Sequence, residues 1–406
     1  MISGVTVVMP TFNRAEYLAE SLDSLLAQSV LPDQIIVVDD GSTDATCQVL
    51  APYRTRIEYL ARANGGKPAA INFALPQVRG RYLWVFDDDD VACPDALARH
   101  LAALHEHPEA GWSYGGFYDW PQQSRADTRD HARARPPPSF SENEQFVENL
   151  FRSYLPSPAV VVRMDVQRAA GHYREDLVRG EDFEMSVRWG LVAPGVRVAD
   201  AARPTYYQRQ HGGARGPQAG RYPASRLRER SREDARTALR GLAAQIALQH
   251  YLPRDCWSQT SSEPLRVRAM LRRWAVHMQK GLWTEALAYA EALAAEPLVA
   301  NQLADEAASC ARRVFLDRYM LRELALEPAV MRAAGALLAQ DNLRVLRAVA
   351  CRHLYYRIRE TLAAGRRRDW QPAVRVAHGV FGWLGFAHTL FDDRRRRRRD
   401  AAPQPS

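Results

Sequence analysis

Residues 5–46, VTVVMPTFNRAEYLAESLDSLLAQSVLPDQIIVVDDGSTDAT, read as strand, helix, strand. Val5–Met9 is a β-branched apolar run of strand length, and Gln34–Val38 is a second. Between them, Arg14–Gln28 carries Tyr17, Leu18, Leu22, Leu25 and Leu26 at helical spacing. The alternation continues. Asp44–Tyr53 is a helix opened by the Ser/Thr/Asp cluster of GSTDAT, Ile57–Leu60 a third strand, and Lys67–Leu75 a short helix with Pro68 in its first turn. Tyr82–Phe86 is a fourth strand, and a helix runs from Pro94 to about His105. Strands alternating with helices predict βαβ units on a parallel sheet, an α/β fold.

The chain has 406 residues, enough for two domains, and its 47% hydrophobic content is that of a globular protein. Its longest apolar runs are strand-length, far below the roughly 20 residues of a membrane span, so no transmembrane helix is expected. MISGVTVVMPTFNR has no basic region ahead of its apolar run, so no secretory leader is expected and the expected location is cytoplasmic. Five cysteines, Cys47, Cys93, Cys256, Cys310 and Cys351, stand singly with no CxxC pair, which predicts buried free thiols. The net charge of +8 is divided unevenly: residues 1–220 hold 22 Lys+Arg against 28 Asp+Glu (net −6), residues 221–406 hold 33 against 19 (net +14). The division expected is therefore 1–220 and 221–406. Only Lys67 and Lys280 are lysines.

Ligands of an open parallel sheet bind beyond the carboxyl ends of its strands. Those ends carry Pro10-Thr11-Phe12-Asn13, Asp39-Asp40-Gly41-Ser42, Ala63-Asn64-Gly65-Gly66-Lys67 and Asp87–Asp90. Each alone is ordinary turn chemistry; four together indicate a site. The aspartates of YLWVFDDDDVACPDAL repel one another without a partner, and their hard oxygens suit magnesium or manganese, ions commonly shared with a diphosphate. A solvated acidic turn capping the next helix is the plain alternative. DDDDV also fits the DxDxV motif of haloacid-dehalogenase-like phosphohydrolases, although that motif normally ends a first strand and here ends the fourth. No GxGxxG follows the first strand, and NGGKP lacks the first Gly and the Ser/Thr of a P-loop, so neither nucleotide motif applies. In GHYREDLVRGEDFEMSVRWG, Glu181 and Asp182 open a helix, either as caps or as a general base toward the same rim. His211 in YYQRQHGGARG is either a late metal ligand or a solvated loop residue.

Taken in order, VVMPTFNRAEYLAESLDSLLAQS, IIVVDDGSTDAT, NGGKPAAINFAL, YLWVFDDDD and GHYREDLVRGEDFEMSVR make residues 5 to about 215 resemble a family 2 glycosyltransferase of the GT-A fold. The resemblance implies a Rossmann-like mixed sheet, and inverting transfer of a sugar from a nucleotide-diphosphate donor, expected to be a UDP-sugar, to an acceptor hydroxyl. It implies a divalent cation, Mn2+ or Mg2+, at the DxD positions Asp87 and Asp89, with Asp89 the direct ligand and His211 a further one. Pro10, Thr11, Asn13, Asp39, Asp40, Lys67, Asp87 and Asp88 form the implied donor-binding set: Thr11 and Asp40 meet the base or ribose, and Asp88 reaches the ribose. Asp182 is the implied base, with Glu181 the alternative. Where the family shows a GGFDE-like segment this chain has Gly171-His172-Tyr173-Arg174-Glu175, which implies a specialised acceptor side.

The remaining half falls outside the resemblance. Residues 121–145 are polar and Pro-rich and predict a mobile loop, and beyond Gly220 the sequence is Ala/Leu/Arg-rich and helical. MQKGLWTEALAYAEAL and GRRRDWQPAVRVAHGV look alike, as helix-hairpin repeats of tetratricopeptide type do. Arg366–Arg368 and Arg394–Arg399 flank VRVAHGVFGWLGFAHTLF, a composition suited to an anionic membrane surface or to a solvated tail. The expected partners are a nucleotide-sugar donor, a glycan or lipid-linked acceptor of surface polysaccharide synthesis, and a membrane surface or protein docked on the basic half. The expected location extends to the periphery of the inner face of the cell membrane. Nucleic acid ranks lower, since no reader motif accompanies the charge. The rival classes are a phosphohydrolase acting through Asp87 and a non-catalytic helical scaffold.

Overall fold

The computed structural model describes residues 4–121, 129, 132–177, 179–200, 202–210, 224–296, 304–340, 343–365 and 367–400. The chain forms two compact units, Met1–Ile246 and Ala247–Ser406. In the first, β1 (Val5–Thr11), α1 (Ala15–Leu26), β2 (Gln34–Asp39), α2 (Thr46–Leu50), β3 (Glu58–Ala61), α3 (Lys67–Ala74) and β4 (Tyr82–Val85) follow in the expected alternation. Then come β5 (Val91–Ala92), α4 (Ala96–Glu106), β6 (Trp112–Tyr114), β7 (Phe117–Pro121), β8 (Arg133–Arg135), α5 (Gln145–Arg152), β9 (Val160–Arg163), α6 (Met164–Ala170), α7 (Glu181–Val192), β10 (Gly195–Arg197), β11 (Tyr206–Gln210) and α8 (Ala224–Leu242).

The main sheet has seven strands in the order β10-β6-β9-β4-β1-β2-β3. β1 is parallel to both neighbours, with Val8 opposite Ile36 on one side and Val85 on the other. β9 is the antiparallel member, paired with β4 and β6. Because successive side chains of a strand point to opposite faces, β1 feeds two cores. Val5, Val7 and Met9 pack with Leu18, Leu22 and Leu25 of α1 and Leu97, Leu101 and Leu104 of α4. Val8 packs on the other face with Ala70, Ile71 and Ala74 of α3 and Met185 and Trp189 of α7. Each such fully buried aliphatic side chain is worth about 1.5–3 kcal/mol relative to exposure. The sheet therefore fixes its strand ends firmly. A second sheet, β5-β11-β7-β8, lies in the same unit. β8 falls within the stretch expected to be a loop and pairs with β7.

The division after Ile246 lies beyond the expected boundary at residue 220, and the reason is α8. Ala238, Leu239 and Leu242 of that helix are buried, and Arg174 Nη1 donates to the Thr237 carbonyl at 3.3 Å. Its apolar stripe belongs to the first unit although its composition matches the second.

The second unit is helical: α9 (Glu263–Lys280), α10 (Trp283–Ala294), α11 (Ala304–Phe315), α12 (Arg318–Leu324), α13 (Pro328–Leu338), α14 (Arg344–Ala363) and α15 (Arg367–Asp400). The two look-alike stretches fall on the α9–α10 and α14–α15 turns, where Gly281 (φ 74°) and Gly365 (φ 65°) take the left-handed conformation that ends a helix. α15 breaks at Gly382 (φ 64°, ψ 160°). Inside the unit Glu306 accepts from Arg268 Nε and Arg272 Nε, both at 2.8 Å. The five cysteines are free; Cys93, Cys310 and Cys351 are buried as expected, whereas Cys47 is exposed. No described helix is long and apolar enough to cross a membrane.

Candidate functional site

The carboxyl ends of β1, β2, β3 and β4 open onto one cavity of about 390 Å³, lined among others by Thr11, Arg14, Asp40, Lys67, Asp87–Asp90, Glu181 and Asp182. Local sequence explains each placement. Gly66 (φ 91°) turns the chain so that the Gly65 and Gly66 amides both reach Asp40, at 3.1 and 2.6 Å, before α3 begins at Lys67. Gly180 (φ 78°) does the same for α7, which starts with Glu181 and Asp182. The residues at these two bends are glycines because a side chain is strained at such φ values.

Four aspartates at the end of β4 meet three cationic side chains. Lys67 Nζ lies 2.6 Å from Asp87 Oδ1 and 3.3 Å from Glu181 Oε1. Arg14 pairs with Asp89 Oδ2. Arg209 of β11 donates its backbone N–H to Asp90 Oδ1 at 3.0 Å, its Nε to the Asp89 carbonyl at 2.8 Å, and its Nη2 to Glu20 at 2.5 Å. The Arg209 guanidinium also lies 4.2 Å from the Trp120 ring centroid. Through Arg209, which also lines the cavity, the second sheet thus braces the aspartate loop.

Burial dominates the titration of these groups. Asp88 is pushed up to about 7 by burial and by Asp89, with Arg14 pulling the other way. Asp90 is held well above the usual carboxylate range by burial, Asp89 and Asp87. Asp182 is raised to about 7 by burial and then by Glu181, with Lys67 opposing. Burial raises Asp40 as well, and its two glycine amides counteract that. For Lys67, burial favours the neutral amine, but Asp87, Glu181 and Asp182 outweigh it and hold the ammonium well above its ordinary value.

The donor set fits a divalent cation. Among the described residues Asp87, Asp89 and Asp90 each place one carboxylate oxygen within 4.8 Å of the others. Asp88 Oδ2 is buried in the same wall without a well-formed hydrogen bond. Hard oxygens in this arrangement suit Mg2+ or Mn2+.

The expected site residues separate into two groups. Pro10, Thr11, Asp40, Lys67, Asp87, Asp88, Asp89, Glu181 and Asp182 line the cavity. Asn13 and Asp39 do not. Asn13 (φ 52°) accepts from the Thr43 amide at 2.8 Å, and Asp39 is buried, accepting from the Ser42 amide at 2.8 Å and Tyr59 at 2.9 Å. Both brace the loop after β2 rather than face the cavity. His211 lies outside the described residues. Among the described residues, Asp90 joins Asp87 and Asp89 in the oxygen cluster. Arg14 and Arg209 escaped the sequence reading. The only signal for Arg14 was its place in TFNR at the rim, and for Arg209 a lone charge in an otherwise strand-like YYQRQ.

Residues 6–167 match the family model described as Glycosyl transferase family 2. An uncharacterized glycosyltransferase of Mycoplasma pneumoniae is 39% identical over 104 residues, 24% of this chain and 35% of the relative. Glycosyltransferase GlyA of Streptococcus pneumoniae is 33% identical over 119 residues, 29% of this chain and 17% of the relative. The chain spans about a third or less of the length of these curated relatives. Among solved structures, S. aureus TarS 1–349 in complex with UDP-GlcNAc is 20% identical with a TM-score of 0.48, covering 90% of this chain and 93% of that one. The mixed sheet and the helical second unit bear out the GT-A class that the sequence implied. With the motifs in order and the family-model match, residues 6–167 belong to glycosyl transferase family 2.

Proposed function

We propose that the chain is a metal-dependent, inverting glycosyltransferase that moves a sugar from a nucleotide-diphosphate donor, a UDP-sugar, to an acceptor hydroxyl in surface glycan or polysaccharide synthesis. One observation carries this: a single cavity gathers Asp40, Lys67, Asp87–Asp90 and Glu181–Asp182 from separate strand and helix ends. Asp87, Asp89 and Asp90 would hold the cation, which as a Lewis acid stabilises a departing diphosphate. Asp40 and Thr11 offer acceptors to the nucleoside. Asp182 takes the acceptor's proton as its oxygen bonds to the anomeric carbon and the bond to the diphosphate breaks. Asp182 suits this role better than Glu181, because Lys67 sits 3.3 Å from Glu181 and Asp182 has a pKa near 7, where a general base is most effective. The test is release of UDP from UDP-sugars with Mn2+ and candidate glycan acceptors. Phosphate released from small phosphoesters, with a phosphoenzyme at Asp87, would instead favour a phosphohydrolase.

The second unit supports peripheral attachment at the inner face of the membrane, where a lipid-linked acceptor would lie. Residues 247–342 carry 11 Lys+Arg and 11 Asp+Glu, net zero, whereas residues 343–406 carry 15 against 5, net +10. The unit's whole excess of charge thus resides in and around α14 and α15. Tyr356, Leu362 and Trp383 on these helices are about half exposed. Arginines near anionic lipid contribute about 1 kcal/mol each. Co-sedimentation with anionic vesicles that is lost on neutral vesicles and in high salt supports this attachment; binding to neither assigns the basic helices to a protein or a glycan.

A further inference from the structure

Arg14 occupies an unusual position. It leaves the end of β1 just before α1, lines the donor cavity, and pairs with Asp89 with only 11% of either side chain exposed. Lys67 pairs with Asp87 at 2.6 Å in the same cavity. Two of the three carboxylates that can share a cation are therefore already neutralised by side chains of the protein. A divalent cation entering this cluster meets a guanidinium on one of its oxygens. Like charges at such separations repel strongly away from bulk water. Where the cation takes the Asp89 oxygen that Arg14 holds, the guanidinium is displaced, and the planar fork it then presents matches the paired oxygens of a diphosphate. Asp88 Oδ2, buried beside it without a well-formed hydrogen bond, marks the same wall as built for a ligand rather than for packing.

We propose that Arg14 is a resident counter-ion of Asp89 that passes from the carboxylate to the donor's diphosphate when a divalent cation binds, coupling cation and nucleotide binding. This rests on the donor-site assignment above. With nucleotide absent, Arg14 competes with the cation. With nucleotide present, Arg14 has a new anion and the competition ends. Each ligand therefore raises the affinity of the other, and by the same factor, because coupling free energy is reciprocal. Because Arg14 touches both the carboxylate and the donor in this exchange, its part is read from the two binding affinities and their coupling rather than from turnover alone.

The experiment is calorimetric titration of the full chain with Mn2+, alone and at saturating UDP, and with UDP at low and saturating Mn2+. Wild type is expected to bind bare Mn2+ weakly and to gain affinity about tenfold or more with UDP, within the usual range of such couplings. Arg14→Gln is expected to bind bare Mn2+ several-fold more tightly and to lose most of the coupling. Arg14→Lys, which keeps charge without the fork, is expected to retain the weak bare-metal affinity but show reduced coupling; it also serves if the Gln variant does not fold. If Mn2+ and UDP bind to wild type and Arg14→Gln shows the same bare-metal affinity and the same coupling, the exchange is wrong while the donor site stands. If wild type binds no nucleoside diphosphate with any metal, the donor-site assignment itself fails.

Discussion

Glu181 and Asp182 are adjacent in sequence and differ in their surroundings. The first shares Lys67 with Asp87, and the second is lifted to a pKa near 7 mainly by burial. Under the proposed transfer, the deprotonated form of Asp182 is the active one, so kcat/KM rises with pH through about 7. Asp182→Asn should lower kcat by roughly 10²–10⁴ with little change in donor affinity, and should abolish that acid limb. An unchanged pH profile in this variant would remove Asp182 from the chemistry. The rim residues were legible in the sequence because strand ends and glycine turns fix where a side chain points, as at Asp40 over Gly65-Gly66. Asn13 and Asp39 sit on the same rim by position yet face the protein, since their oxygens are taken by the amides of Ser42 and Thr43. Which way a rim residue turns depends on such local hydrogen bonds, and no motif states them. The role of Asp90 was hidden likewise, because its orientation comes from Arg209, 119 residues away in sequence.

Among elements, the β1–α1–β2 unit was readable because hydrophobic period and burial agree: all seven residues of β1 are buried, as are Leu18, Leu22 and Leu25 on one stripe of α1. β5 was not readable. It has two residues and exists through pairing with β11, a contact between distant segments that no local pattern encodes. The same holds for His100, whose burial in α4 has an energetic consequence. It is neutral, with a pKa pushed down to about 3 by burial and then by Arg99, and its Nδ1 meets Ser113 Oγ at 2.9 Å. A histidine depressed in the fold binds fewer protons folded than unfolded. Its contribution is complete above the unfolded value of about 6.5 and declines as pH falls toward 3. His100→Gln should therefore lower stability at pH 7.5 and make unfolding free energy fall less steeply between pH 6.5 and 4, read by urea denaturation. Parallel curves for the two proteins would mean that His100 is not held neutral.

At the scale of the whole molecule, composition located two halves but misplaced their join, since the charge of α8 resembles the second unit while its buried Ala238, Leu239 and Leu242 belong to the first. Charge is a surface property; the apolar stripe decides where a helix packs. A chain cut after Ile246 should keep metal-dependent nucleotide binding, whereas one cut after residue 220 should lose α8 and with it solubility or several degrees of thermal stability. Equal stability of the two truncations would contradict the assignment of α8. The helical half remained outside the resemblance because its helices carry no motif, only amphipathic stripes and arginine, and its proposed membrane role rests on charge and exposed side chains alone. The central claim, that four aspartates at the end of β4 await a cation and a nucleoside diphosphate, is tested most directly by thermal unfolding of wild type and Asp89→Asn against a panel of nucleoside diphosphates, each with and without Mn2+. The expected result is a rise in Tm with one nucleotide, UDP, only when Mn2+ is present, and its loss in Asp89→Asn. No rise with any nucleotide, or a rise that the variant shows equally, would contradict it.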